Sequence, residues 1–242
     1  MKRKFPYLIA LVTLTALSQS LAQVPDKYLL INNVQIFNGK EEKLLTGNVL
    51  VLNNRIQKIS TAPIATNRSA NTQIIDGKGK FLMPGLIDAH AHIMSEAISI
   101  QSSLTADFSY ITLVASVSAG AELLRGFTTI RDVAGPSFGL KRAIDEGLVP
   151  GPRIFPSGAG IGQTSGHSDF RSTQDVPMPA GTPLSFVERN NFGIVADGAD
   201  QVLFRVREQL KLGASHIKLM AGGGVASDYD PPGVGQNSTH EF

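Results

Sequence analysis

The sequence predicts an α/β fold in two parts: a small antiparallel β unit over residues 23–83, then the first four strands of a parallel (β/α)8 barrel over residues 84–242. Three observations predict it. Between Lys27 and Phe81 the chain carries only short β-rich runs separated by turn signals. After Pro84-Gly85, strand and helix patterns alternate with short connections, the rhythm of parallel strands joined by right-handed crossovers. The polar residues able to do chemistry fall near the C-terminal ends of those strands, where βα barrels build their sites.

Residues 1–22 read as a signal peptide. Lys2, Arg3 and Lys4 form a basic start, Tyr7 to Leu17 an apolar stretch, and Ser20-Leu21-Ala22 places small residues where a signal peptidase cuts. The apolar stretch falls short of the about 20 residues of a membrane span. The expectation is an exported chain, periplasmic or secreted, with no stable membrane anchor after cleavage. The net charge of +2 over 242 residues loses three basic groups with the signal, leaving 19 Lys+Arg against 20 Asp+Glu. A basic surface for nucleic acid is therefore not expected. With no cysteine, disulfides, thiol nucleophiles and cysteine zinc sites are excluded.

In the β unit, Leu29 to Phe37 and Asn48 to Leu52 are strand runs. Asn53-Asn54 suits a hairpin turn into Arg55 to Ile59, and Asp76-Gly77 marks a turn between Gln73-Ile74-Ile75 and Lys80-Phe81-Leu82. At about 55 residues this unit is near the lower limit for folding alone. In the barrel part, Leu86 to His90 is strand one and Tyr110 to Arg125 a helix closed by Gly126. Thr128-Thr129-Ile130 is strand two, Phe138 to Glu146 a short helix, and Arg153-Ile154-Phe155 strand three. A long Gly-, Ser- and Pro-rich loop runs from Gly158 to about Asp197. Asp200 to Leu212 is an amphipathic helix stopped by Gly213, and Ser215 to Met220 is strand four. A full barrel needs about 250 residues, and Ser238 to Glu241 reads as a helix-start capping box. The sequence therefore looks like the N-terminal half of a longer protein.

Candidate chemistry begins at His90-Ala91-His92. On a strand, Asp88, His90 and His92 share a face, and the two imidazoles, about 6–7 Å apart, suit a borderline metal such as zinc. Lys218 lies between Ile217 and Leu219 and so points away from them, toward the barrel interior. Burial there favours a neutral amine, which can react with carbon dioxide to form an anionic, bidentate carbamate. A lysine paired with a carboxylate or pointing to solvent is the alternative.

Several segments together resemble a metal-dependent amidohydrolase of the imidazolonepropionase-like and Xaa-Pro-dipeptidase-like branch. They are Met83 to His92, Gly126 to Asp132, Gly151-Pro152-Arg153, Thr164 to Asp169, Asp197-Gly198, Gly213 to Lys218 and Gly222 to Ser227, in the family's order. The resemblance implies a TIM-like barrel behind a β-sandwich-like domain. It implies two divalent metal ions, zinc by ligand type, with His90 and His92 on the more buried one and carbamylated Lys218 bridging both. His167 is implied to face the substrate. Arg131 and Asp132 are expected as a structural ion pair, Asp88 as an orienting residue, and His216 and His240 as bystanders.

The implied reaction is hydrolysis of a C–N amide bond in a dipeptide or N-acyl amino acid, with metals activating water and polarising the carbonyl. The resemblance further implies two later histidines and a general-base aspartate beyond Phe242, so the 242 residues alone are expected to be unstable and inactive. Homo-oligomer formation is left open. Ser165 and Ser168 stand where the branch often has glycine, and Ala221 where serine is common. The alternatives are a cyclic-amide hydrolase or deaminase of the same superfamily, or a non-catalytic barrel protein.

Overall fold

A computed structural model of the chain describes residues 25–66, 69, 71–177, 179, 181–224, 230–233 and 235. The stretch read as a signal peptide, Val225 to Ser227, and the tail with His240 and the capping box lie outside the described residues. The chain divides into two compact units, Met1–Pro84 and Gly85–Phe242.

The first unit is one five-stranded sheet of β1 (Tyr28–Ile36), β2 (Leu45–Leu52), β3 (Arg55–Ser60), β4 (Thr72–Asp76) and β5 (Phe81–Leu82). The β2–β3 hairpin forms as expected, with Asn53 at a φ of 56° in its turn. The sheet is mixed, not antiparallel: β4 and β5 both pair with β1 in parallel. The Asp76-Gly77 turn therefore does not reverse the chain. It steps around a break in β1 between Ile31 and Val34, so that β4 covers the first half of one edge and β5 the second. Leu30, Val34, Val49 and Leu50 are buried in this unit.

The second unit begins with β6 (Leu86–Ala91), β7 (Phe127–Asp132) and β8 (Arg153–Pro156), a parallel sheet in that order. After β6 come α1 (Ile100–Thr105), a short helix capped by the Ser99 side chain, and α2 (Phe108–Leu124), capped by Asp107. α3 (Phe138–Asp145) links β7 to β8. Ile111, Ala115 and Ala119 recur every four residues along α2 and meet Ala91, Ile93, Ile130, Ile154 and Leu140 in one core. Ile93, Ile130 and Ile154 are each at most 1% exposed, a burial worth about 1.5–3 kcal/mol per side chain.

The long loop expected from Gly158 to Asp197 contains structure that its composition hides. β9 (Gly160–Gly162), α4 (Phe186–Arg189) and β10 (Gly193–Val195) form within it. Then α5 (Ala199–Leu212), closed by Gly213 at a φ of 103°, leads to β11 (Lys218–Leu219). β9 lies between β10 and β11, parallel to both. Only Ser157 to Ala159 separate β8 from β9, with Gly158 at a φ of 72°, and across them the neighbouring strands change. Ser157 still bonds to Asp132 of β7, whereas Ser215, ahead of β11, bonds to Pro156. Strand and helix thus alternate as predicted through four parallel positions, and the described residues do not close a barrel.

Candidate functional site

β6 carries one residue more than β7 where the two histidines begin. Asp88 pairs with Ile130 and Ala91 with Asp132, so three steps along β6 match two along β7. The surplus is a β-bulge at Ala89-His90, opposite Arg131, a device that re-aims side chains. Beyond it His90 and His92 face each other, with ring centroids 5.4 Å apart and planes inclined at 58°. Ala91 between them is buried in the core on the other side. Asp88 turns back on its own strand, its Oδ1 accepting the His90 amide at 2.8 Å.

His92 is the more buried of the pair. Burial lowers its pKa, a hydrogen bond to the backbone of Ala134 opposes this, and the charges of His90, Lys218 and His167 lower it further. Residues from the ends of β6, β9 and β11 thus act on one imidazole. Ala134 sits at a φ of 150° and is followed by Gly135 at 131°, a backbone course rare for L-residues. Such strain persists where the surroundings impose it, and it gathers at functional sites.

Lys218 is half-buried. Ile217 and Leu219 on either side pack with Ile161, Ala196 and Val202 beneath α5, which sends Lys218 to the opposite face. Burial lowers its pKa, and the nearby Arg131 guanidinium lowers it again. His216, expected as a bystander, belongs to the same group. Its Nε2 is buried without a hydrogen-bond partner among the described residues. Burial, then Arg131 and Lys218, lower its pKa.

His167 follows β9 and is held from a direction that the sequence does not disclose. Its Nδ1 lies 2.9 Å from Asp230 Oδ2, and the Gly224 amide donates to the same oxygen at 3.2 Å. A Cβ on Gly224 would overlap the His167 ring. Nothing in the sequence singles out Asp230. The glycine run Gly222 to Gly224 is the only hint that backbone closes tightly on a side chain here.

Arg131 and Asp132 do not form the ion pair expected of them. As neighbours on a strand they project to opposite faces. Arg131 Nε donates to the Ala89 carbonyl at 2.6 Å. Asp132 is 0% exposed and accepts the Ile93 amide at 3.0 Å and the Ser137 hydroxyl at 2.5 Å. Burial pushes its pKa up to about 7 against the Ser137 and Ile93 hydrogen bonds, and Glu96 adds to the rise.

A cavity of about 570 Å³ lies under the segment between β9 and β10, with Asp169, Arg171, Glu188, Asp197 and Arg205 among its walls. None of His90, His92, His167 or Lys218 lines it. Its carboxylates already serve the loop: Asp169 pairs with Arg171, Asp197 accepts from Thr164, and Glu188 closes a capping box with Ser185. The histidine group is therefore the better candidate site.

Among the described residues, no three His, Asp or Glu side chains are close enough to hold a metal ion by themselves. The donor chemistry present nonetheless suits a borderline divalent cation. It offers two imidazoles ring to ring, the more buried one anchored through a backbone hydrogen bond as metal-bound histidines commonly are. Beside them is an amine that burial shifts toward its uncharged form.

The chain is similar to several known proteins. Ochratoxinase of Aspergillus niger is 33% identical over 183 residues, which are 66% of this chain and 35% of that protein. A crystal structure of an amidohydrolase superposes with a TM-score of 0.79 at 40% identity, covering 89% of this chain and 52% of that one. A prolidase complexed with N-methylphosphonate-L-proline gives the same TM-score at 34% identity and the same coverage. The chain thus spans about half the length of the solved structures it matches, and their N-terminal part. Residues 81–242 match the amidohydrolase family, and the chain belongs to that family.

Proposed function

We propose that the full-length protein is a metal-dependent hydrolase that cleaves the C–N amide bond of a dipeptide or N-acyl amino acid. The observation that carries this reading is the facing pair His90 and His92, 5.4 Å apart, with Lys218 and His167 acting electrostatically on the inner ring. Burial lowers the His92 pKa and so favours the neutral ring, whose lone pair is available to a cation. The half-buried Lys218 amine, its pKa lowered, attacks carbon dioxide. A C–N bond forms, the nitrogen loses a proton to solvent, and the anionic product presents two oxygens. His90, His92 and the carbamate would hold divalent ions, zinc by ligand type. Such ions lower the pKa of water and polarise a carbonyl.

His167, oriented by Asp230, is the residue we propose for hydrogen bonding to the substrate. A prolidase and an ochratoxinase among the similar proteins favour a peptide-like substrate over a nucleobase. The N-terminal signal pattern in Lys2 to Ala22 supports an exported enzyme.

The test is a panel of Xaa-Pro dipeptides and N-acyl amino acids offered to the full-length protein before and after chelation. Hydrolysis that disappears with the metal, returns with zinc and is absent in His90→Ala is expected. Release of ammonia from amino-substituted heterocycles without amide cleavage would move the protein to the deaminase branch. Turnover retained by His90→Ala would remove the metal reading altogether.

A further inference from the structure

The bulge at Ala89-His90 breaks the ladder between β6 and β7, and each freed backbone group needs another partner. The Ala91 carbonyl still finds one in the backbone, the Val133 amide at 2.9 Å, and the His92 carbonyl receives the Ser95 amide at 2.9 Å. Side chains serve three more. Asp88 accepts the His90 amide, Arg131 Nε donates to the Ala89 carbonyl at 2.6 Å, and Asp132 Oδ1 accepts the Ile93 amide at 3.0 Å. The Asp132 carboxylate is in turn fixed through its other oxygen by Ser137. The two β7 residues therefore bracket the histidines, one bonded to the residue before His90 and the other to the residue after His92.

We propose that Arg131 and Asp132 are positioning residues for the His90–His92 pair, acting from the two faces of β7 to set the bulge that aims both imidazoles at one point. The proposal rests on the reading of those histidines as metal ligands. It explains why Asp132, fully buried, is a carboxylate among apolar neighbours. An apolar residue there would leave the Ile93 amide without its acceptor and the strand end free to relax. It also explains why Arg131 points toward Lys218 and His216, where a cation offers neither of them a stabilising partner. Its guanidinium is on that face because the Ala89 carbonyl is.

The experiment is titration of the full-length protein with cobalt(II), read by its visible d–d absorption, with circular dichroism at the same temperature to show that each variant is folded. Asp132→Ala and Arg131→Met are expected to weaken cobalt binding about 10–100-fold, the usual cost of losing a group that orients a ligand. They are also expected to change the d–d band shape, which a general loss of stability would not do. Asp132→Asn keeps an acceptor for the Ile93 amide and should return affinity and spectrum close to wild type. Wild-type affinity and spectrum in both Asp132→Ala and Arg131→Met overturn the proposal. Should Asp132→Ala not fold, Ser137→Ala loosens the same carboxylate. A shifted spectrum then supports the proposal and an unshifted one overturns it. His90→Ala separates the two levels, since wild-type cobalt binding there removes the metal reading itself.

Discussion

His167 Nδ1 lies 2.9 Å from Asp230 Oδ2, joining segments 63 residues apart. The contact exists because Gly224 has no Cβ where the imidazole sits. Gly224→Ala should therefore displace the ring and cost about 1–3 kcal/mol, as overpacking does. Chemical denaturation and kcat/KM on the preferred amide check this. A variant with unchanged stability and unchanged kcat/KM would show that the ring is not confined there.

Asp132 predicts a pH dependence of stability. A carboxyl held at about 7 in the fold and near the ordinary aspartate value of about 3.9 when unfolded binds more protons folded than unfolded between those limits. Its contribution favours the fold at the acid end, is lost as pH rises from about 4 to about 7, and is flat above. Denaturation of wild type and Asp132→Asn across that window should show wild type losing stability relative to the variant. The difference should be on the order of a few kcal/mol. Parallel curves would mean that Asp132 is ionised throughout.

Gln209 is 0% exposed on α5 and joins a backbone amide to a side-chain oxygen. Its Oε1 accepts the Ala159 amide at 3.0 Å, and its Nε2 donates to Asn191 at 3.1 Å. Gln209→Leu keeps the bulk and strands the Ala159 amide, so a loss of about 1–3 kcal/mol is expected. A thermal midpoint equal to wild type would contradict this account.

Lys218→Arg keeps a long basic side chain and removes the chemistry proposed for the amine, because a guanidinium does not deprotonate and so forms no carbamate. Amide hydrolysis should be lost. Isotopically labelled bicarbonate should give a carbamate carbon signal in wild type that the variant lacks. Wild-type turnover by Lys218→Arg would exclude the carbamate.

The parts of the site that are legible in the sequence are those written in local spacing. His90 and His92 stand one residue apart on a strand, and Lys218 is flanked by two apolar residues, so alternation alone sends each toward a face. The partners that hold them are not written locally. Asp230 reaches His167 only because the segment after β11 folds back. Arg131 and Asp132 are adjacent and oppositely charged, which suggests a pair, yet the strand geometry that makes them adjacent is what keeps their side chains apart. In the first unit, two turn-flanked runs after β3 suggest a hairpin. The break in β1 instead lets β4 and β5 run along one edge in the same direction. Gly160 to Gly162 and Gly193 to Val195 are only three residues each and open on glycine, too short to be read as strands, and pairing with each other decides their conformation.

The seating of β10 against β9 has a consequence for how such a protein can change. The excursion from residue 163 to residue 192 begins and ends on neighbouring strands that hydrogen-bond to each other, so its two ends are fixed whatever lies between them. Doubling the length of a flexible loop between fixed ends costs only about 0.6 kcal/mol. The exposed residues from 172 to 177 can thus be lengthened, shortened or rewritten while β9 and β11 keep their register and Lys218 its place. New specificities can be tried in that stretch without reopening the problem of folding the strands.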